Sequence, residues 1–253
     1  MFLKNLLSDK KRVTTGLALL VGVILLGLID NFFLMWFVFG GLFLIAFYEA
    51  MKLFELDNNS IYLYAAMLWL FAAYYPNPDD LVFIVLVIFA GTLAYNPDFD
   101  KRLFLPFLYP TASFLFLLAL YNDFGITALA WLLVAVAGAD IGAYMVGKTI
   151  GSTPFCKTSP NKTMEGVIGG ILIGGLLSTF VGLTYLPFFT ALIISTIVAS
   201  ASVFGDLFES YLKRAADVKD SGDILPGHGG ILDRLDGYLF GGIIMVILLR
   251  GLV

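Results

Sequence analysis

The feature that leaves this chain fewest choices is a succession of long apolar runs separated by short polar breaks. Crossing a bilayer as an α-helix takes about 20 mostly apolar residues. Nine stretches approach that requirement: about Val13–Ile29, Phe32–Lys52, Ile61–Tyr75, Leu81–Tyr95, Leu103–Tyr121, Gly125–Val146, Gly166–Tyr185, Pro187–Phe204 and Tyr238–Val253. The breaks include Asn58-Asn59, Pro76-Asn77-Pro78-Asp79-Asp80, Asn96-Pro97-Asp98 and Asn122-Asp123, all turn-forming residues that end helices. A transmembrane β-barrel would instead alternate polar and apolar residues in segments of about ten. Composition agrees with helices in a bilayer: 60% of residues are hydrophobic and 13% charged, about half the charge of a soluble domain. The expected class is an all-α integral membrane protein with about nine transmembrane helices. The N-terminus begins polar and turns apolar, as a signal peptide does. Its apolar run is long and no A-x-A cleavage pattern follows, so it is expected to be a retained first span.

Charge placement gives an orientation. With the N-terminus inside, an odd number of spans puts 14 of the 15 Lys and Arg residues on one side and leaves only Arg250 on the other. Basic residues collect on the cytoplasmic side, so the expected topology has a cytoplasmic N-terminus in a bacterial-type cytoplasmic membrane. The same arrangement brings two long polar connections, residues 147–165 and 205–236, to the cytoplasmic face together. Cys156, the single cysteine, falls on that side, where thiols stay reduced. It excludes an intrachain disulfide and a Cys-rich metal site. The net charge of −4 gives no reason to expect a nucleic acid partner.

The polar connections hold the residues able to do chemistry. Asp140 stands near the cytoplasmic end of the sixth run, in Gly138-Ala-Asp140-Ile-Gly142-Ala143-Tyr144. Ionisable residues inside spans are functional by default, although a helix end reaching the headgroups reads the same way. The small neighbours would admit another helix or a ligand. In Ser159-Pro-Asn-Lys162-Thr163-Met-Glu165-Gly166, Thr163 suits an N-cap with Glu165 supporting the first turn. Equally, Lys162, the hydroxyls and free N–H groups suit an anion site. If the eighth run continues as helix, Asp206, Ser210, Lys213 and Asp217 share one face, with Glu209 at its edge. Farther on, Gly227, Gly229 and Gly230 surround His228, the single histidine, making a loop that backbone can bring close to a ligand. Lone histidines are more often structural than catalytic, and here loop shaping or phosphate contact fits. Asp233 and Asp236 are spaced i, i+3 and can face one point. With Asp206 they would offer the hard oxygen ligands Mg²⁺ prefers; one His and one Cys do not make a zinc site.

The stretch Ser210-x-Leu-Lys213-Arg214-x-x-x-x-Lys219-Asp220-x-Gly222-x-x-Leu225-Pro226-x-His228-Gly229-Gly230-Ile-x-Asp233-Arg234-Leu-Asp236 resembles the signature of phosphatidate cytidylyltransferases (CDP-diacylglycerol synthases). The runs Asp140-x-Gly-Ala-Tyr144 and Ser159-Pro-x-Lys162-Thr163-x-Glu165-Gly166 are similar to a second region of that family, with Ile141 where Thr or Ser is commoner. The resemblance covers roughly the C-terminal half. It divides the chain into residues 1–125, about five membrane helices, and residues 126–253, a catalytic membrane region of about four spans.

The resemblance implies transfer of a cytidylyl group from CTP to phosphatidate, giving CDP-diacylglycerol and pyrophosphate with Mg²⁺. It also implies a two-cation site, the second ion being one such as K⁺, and a homodimer. On this reading Asp206, Asp233 and Asp236 hold the metal and Asp140 completes its shell. Ser159, Lys162, Thr163, Glu165, Gly229 and Gly230 serve the nucleotide side. Lys213, Arg214, Lys219, His228 and Arg234 act on phosphates and charge. Because phosphatidate's tails stay in lipid, a polar cavity facing the cytoplasm and opening sideways to the inner leaflet is expected. Two alternatives stand beside this: an enzyme using another lipid or polyprenyl phosphate, and a transporter with the acids as a cation pathway. No internal repeat of the transporter kind is visible, and the D-G-x-x-A-R pattern of CDP-alcohol phosphatidyltransferases is missing.

Overall fold

The computed structural model describes residues 10–225, 227 and 229–252, with side chains from Thr14 onward. Apart from two isolated bridges, Pro154 with Thr163 and Leu225 with Gly229, the regular structure of these residues is helical. Eight α-helices follow in order: α1 Lys10–Ile29, α2 Phe32–Leu53, α3 Ser60–Ala72, α4 Leu81–Tyr95, α5 Ala112–Ile150, α6 Met164–Gly182, α7 Phe188–Ala215 and α8 Leu232–Arg250. Short helical turns at Pro78–Asp80, Lys101–Phe104 and Phe107–Thr111 lie between α3 and α5. Five segments among the described residues are long and apolar enough to cross a membrane: Phe32–Leu53, Pro78–Tyr95, Lys101–Ile150, Met164–Gly182 and Phe188–Ala215. Thr14–Ile29 and Ser60–Ala72 are apolar but shorter.

The longest segment is not one rod. At Gly125 the backbone takes φ 70°, ψ −170°, a conformation open to glycine and strained for other residues. In a straight helix Leu117 and Leu132 would stand about 22 Å apart, at 1.5 Å per residue. Instead both lie beside Gly242 of α8, their Cδ2 atoms 2.6 and 3.5 Å from where a Cβ on that glycine would sit. Hence α5 is a hairpin of two arms, residues 112–124 and 126–150, which correspond to the fifth and sixth runs of the sequence. Tyr185 secures the bend by donating its hydroxyl proton to the Phe124 carbonyl.

Large apolar side chains point outward along the helices; Leu28 and Phe189 are each 77% exposed. In water such a surface would drive association, whereas in a bilayer it is the lipid-facing belt. Inside, Phe43, Phe47, Phe114, Leu118, Trp131, Leu132 and Leu239 are wholly buried and join α2, α5 and α8. Trp131 donates to Ser195 Oγ at 2.8 Å, tying α5 to α7. The second arm of α5 and α6 approach backbone to backbone. A Cβ at Gly174 would fall 2.6 Å from Ala139 N and 2.7 Å from Ala135 O, and one at Gly138 would fall 3.0 Å from Gly174 Cα. Small residues permit this approach, which sets Asp140 beside α6.

A cavity of about 580 Å³ lies among α3, α4 and the segment 99–107, with Met67, Phe71, Ile84 and Phe104 in its walls. Its lining is almost wholly apolar and includes none of the candidate site residues.

Candidate active site

Helix α7 runs past the apolar core to Ala215, so its last turns carry Asp206, Glu209, Ser210 and Lys213 on continuous helix. Asp206 accepts from Ser210 Oγ at 3.3 Å and forms an ion pair with Lys162 of the α5–α6 connection. Lys213 Nζ is shared between two acids, 2.8 Å from Glu209 Oε2 and 2.6 Å from Asp233 Oδ1. Asp217 departs from the expected face. It follows the end of α7 with φ 54°, because the helix has already closed at Ala216 and the chain turns there.

Helix α8 begins at Leu232, so Asp233 stands in its first turn and Asp236 three residues on, about one turn further. Asp233 Oδ2 gathers the loop before it, accepting from Ser221 N at 2.8 Å, Ser221 Oγ at 2.9 Å and Gly230 N at 2.7 Å. Asp236 Oδ1 accepts from Gly237 N at 2.7 Å. The two helices touch at this level: a Cβ at Gly205, next to Asp206, would lie 3.0 Å from the carbonyl carbon of Asp236. Three helices meet just below: a Cβ at Gly237 of α8 would lie 2.9 Å from Val136 Cγ1 of α5 and 3.2 Å from Ser202 Cβ of α7, so Asp236, Asp140 and Asp206, next to Gly237 and one turn beyond Val136 and Ser202, stand at the same level and feel one another's charge. Two buried polar atoms have no hydrogen-bond partner among the described residues, Glu209 Oε1 and Tyr109 Oη. Both feel the charge of Asp233 and Asp236. Tyr109 packs edge-on against Phe208 of α7 and Phe240 of α8, forming the apolar floor of the cluster. As the side chains stand, no three His, Cys, Asp or Glu among the described residues enclose a point where a metal ion would sit.

The remaining candidates have other company. Thr163 caps α6, its Oγ1 accepting from Gly166 N at 3.2 Å. Glu165 accepts from Ser152 Oγ at 2.9 Å and Thr153 Oγ1 at 2.8 Å, folding the connection back on the helix start. Thr163 thus takes the capping role that the sequence allows it. Ser159 accepts Lys162 N through its carbonyl at 3.1 Å. Arg214 is exposed and bonds the Val218 carbonyl at 3.1 Å, and Lys219 is exposed. Gly229 has φ 83°, and the place of its absent Cβ lies 2.6 Å from Asp233 Oδ2. For Gly230 that place lies 2.5 Å from Glu49 Oε1. The glycines therefore make room for the protein's own carboxylates. His228 and Pro226 lie outside the described residues.

Glu49 and Tyr109 are the residues that sequence reasoning passes over. Glu49, buried in α2, accepts from Ser221 Oγ, Ile231 N and Leu232 N at 3.0, 3.0 and 2.8 Å. The available signal was an acid inside an apolar run, the same signal that singles out Asp140.

Comparison with known proteins gives the family of the chain. The model of the Cytidylyltransferase family matches residues 10–252. Phosphatidate cytidylyltransferase of Helicobacter pylori strain J99 is 44% identical over 249 residues, spanning 97% of this chain and 94% of that protein. The enzyme of the same name from Thermotoga maritima is 34% identical over 218 residues, 78% of this chain and 80% of its own length. That of Bacillus subtilis is 46% identical over 123 residues, 47% of this chain and 46% of that one. With a family match across nearly its whole length and a 44% identical relative matched over more than nine-tenths of both chains, the chain belongs to the cytidylyltransferase family of nucleotidyltransferases.

Proposed function

We propose that this protein transfers the cytidylyl group of CTP to phosphatidate, releasing pyrophosphate, at the cytoplasmic face of a membrane that it crosses about nine times. The observation that carries the reading is the meeting of α5, α7 and α8 at Gly237, against Val136 and Ser202, which gathers Asp140, Asp206 and Asp236 at one level, with Lys162 and Lys213 among the acids. The relatives bear the same activity in their names. Residues 126–253 supply the chemistry on this reading, and residues 1–125 the membrane frame. An oxygen of the lipid phosphate forms a bond to the α-phosphorus of CTP while the bond to the β-phosphate oxygen breaks. A phosphate monoester has a second pKa near 6, so the nucleophile is already ionised and no strong base is needed. The task is to bring two polyanions together, and catalysis is mainly positioning and charge neutralisation. Lys162 and Lys213, with Arg214, Lys219 and Arg234 nearer the solvent, supply positive charge.

The donor set suits Mg²⁺: carboxylate oxygens only, beside a buried Glu209 oxygen with no hydrogen-bond partner among the described residues. Asp206, Asp233 and Asp236, with Asp140, would hold Mg²⁺ and a second ion such as K⁺. Bound there, the ions would polarise the phosphates and stabilise the leaving pyrophosphate. One oxygen of Asp233 is already committed to Ser221 and Gly230, so its other oxygen, now on Lys213, is the one able to serve.

Purified protein in detergent, given labelled CTP and a panel of phosphatidate, a polyprenyl phosphate and a lipid without phosphate, tests the reading. CDP-diacylglycerol and pyrophosphate are expected with phosphatidate and Mg²⁺ only. Asp233→Asn is expected to lose at least 100-fold in kcat, and full turnover by that variant removes the site assignment.

A further inference from the structure

The acid cluster is not held by the C-terminal half alone. Glu49, near the end of α2, is 1% exposed. Its hydrogen-bond partners among the described residues come from the segment 221–232, more than 170 residues later in the chain. Oε1 accepts from Ile231 N at 3.0 Å, and Oε2 accepts from Leu232 N at 2.8 Å and lies 3.0 Å from Ser221 Oγ.

Two of those donors are peptide groups at the start of α8. The first four N–H groups of a helix have no partner within it, and no side chain at Ile231, the α8 N-cap, supplies one. A carboxylate from another helix therefore caps α8, with its negative charge at the positive end of the helix dipole. The third donor, Ser221, stands between two acids, 3.0 Å from Glu49 and 2.9 Å from Asp233. Its single hydroxyl proton serves one acid at a time. The peptide N–H groups of Ser221 and Gly230 hold Asp233 regardless, and those of Ile231 and Leu232 hold Glu49. The loop is built to fit this carboxylate: Cβ atoms at Gly222 and Gly230 would each fall 2.5 Å from Glu49 Oε1.

We infer that Glu49 is a positioning residue for the reaction: it fixes the start of α8 and, through Ser221, the carboxylate of Asp233. This rests on the site proposed above. It gives the N-terminal half a part in the chemistry that no motif of that half announces.

The test compares Glu49→Gln, Glu49→Asp, Ser221→Ala and Ser221→Thr with the unaltered protein. Each is assayed for kcat and for KM of CTP, and by hydrogen exchange of the amides in residues 220–233. An outer partner of a metal-binding or catalytic group typically contributes about 10- to 100-fold to activity. Glu49→Gln is expected to lower kcat by that range with KM for CTP within about threefold, and to speed exchange at 231 and 232 while α5 and α6 stay protected. Ser221→Ala should lower kcat, and Ser221→Thr, which keeps the hydroxyl, should restore most of it. Normal kcat and unchanged exchange in Glu49→Gln overturn the inference. If that variant does not fold, Ser221→Ala at full kcat overturns it equally. Asp233→Asn separates the two readings. If it is inactive while the Glu49 and Ser221 variants are fully active, only the positioning role falls. If it is active, the site falls.

Discussion

Lys213 is the residue on which the charge balance of the cluster turns. Its side chain is 12% exposed and its ammonium bridges Glu209, fully buried, and Asp233, 5% exposed. Removing one partner of a buried ion pair strands the other, at a cost of about 3–5 kcal/mol. Lys213→Met is therefore expected to lower the thermal midpoint sharply in detergent, and the double variant with Glu209→Gln to recover part of the loss. An unchanged melting curve for Lys213→Met would show that the pair carries no stability. At this scale the sequence was uneven. Asp140 and Asp206 stand out as charges beside apolar helix, Asp233 and Asp236 by their i, i+3 spacing, Lys213 by the helix face it shares with Asp206, and Lys162 by its place at a helix start. Thr163 and Glu165 carried two meanings; Thr163 caps α6, and Glu165 ties the preceding connection to the helix start through Thr153. Glu49 could not be assigned a partner, since its partners are distant in the chain and no local spacing encodes them.

Among the elements, the pair formed by the second arm of α5 and α6 shows how glycine placement positions an acid. Gly174 leaves no room for a Cβ against Ala139 and Ala135, whereas Gly41 and Gly91 have nothing within 4 Å. Overpacking a tight contact costs about 1–3 kcal/mol or more. Gly174→Val should thus destabilise the protein by at least that amount and shift Asp140. Gly41→Val should leave the melting midpoint within about 2 °C, as surface substitutions do. Equal losses in both variants would count against the backbone approach. The apolar runs mark out the eight α-helices of the described residues in outline, and the small residues around Asp140 foretold a close neighbour. The ends were less legible. Helix α7 continues to Ala215 and α8 starts at Leu232, because polar residues at a membrane face can extend a helix without changing its apolar count.

For the whole molecule, the distribution of basic residues is the strongest topological statement the chain makes. Cys156, partly exposed in the connection between α5 and α6, gives a direct check because it is the single thiol. A membrane-impermeant maleimide should label it in inside-out vesicles and not in intact cells. In a Cys156→Ser background, Asn77→Cys should show the reverse. Labelling of Cys156 in intact cells would invert the proposed orientation.

Helix α8 is fastened at both extremities. Its first peptides are bound by Glu49. Its last turn carries Arg250, whose guanidinium clasps Asp79 at 2.6 Å and Asp123 at 2.7 Å. Any axial slip of this rod would have to break both attachments in a single displacement. The depth at which Asp233 and Asp236 sit is accordingly written into the polypeptide, and a thicker or thinner bilayer must adjust itself to that level.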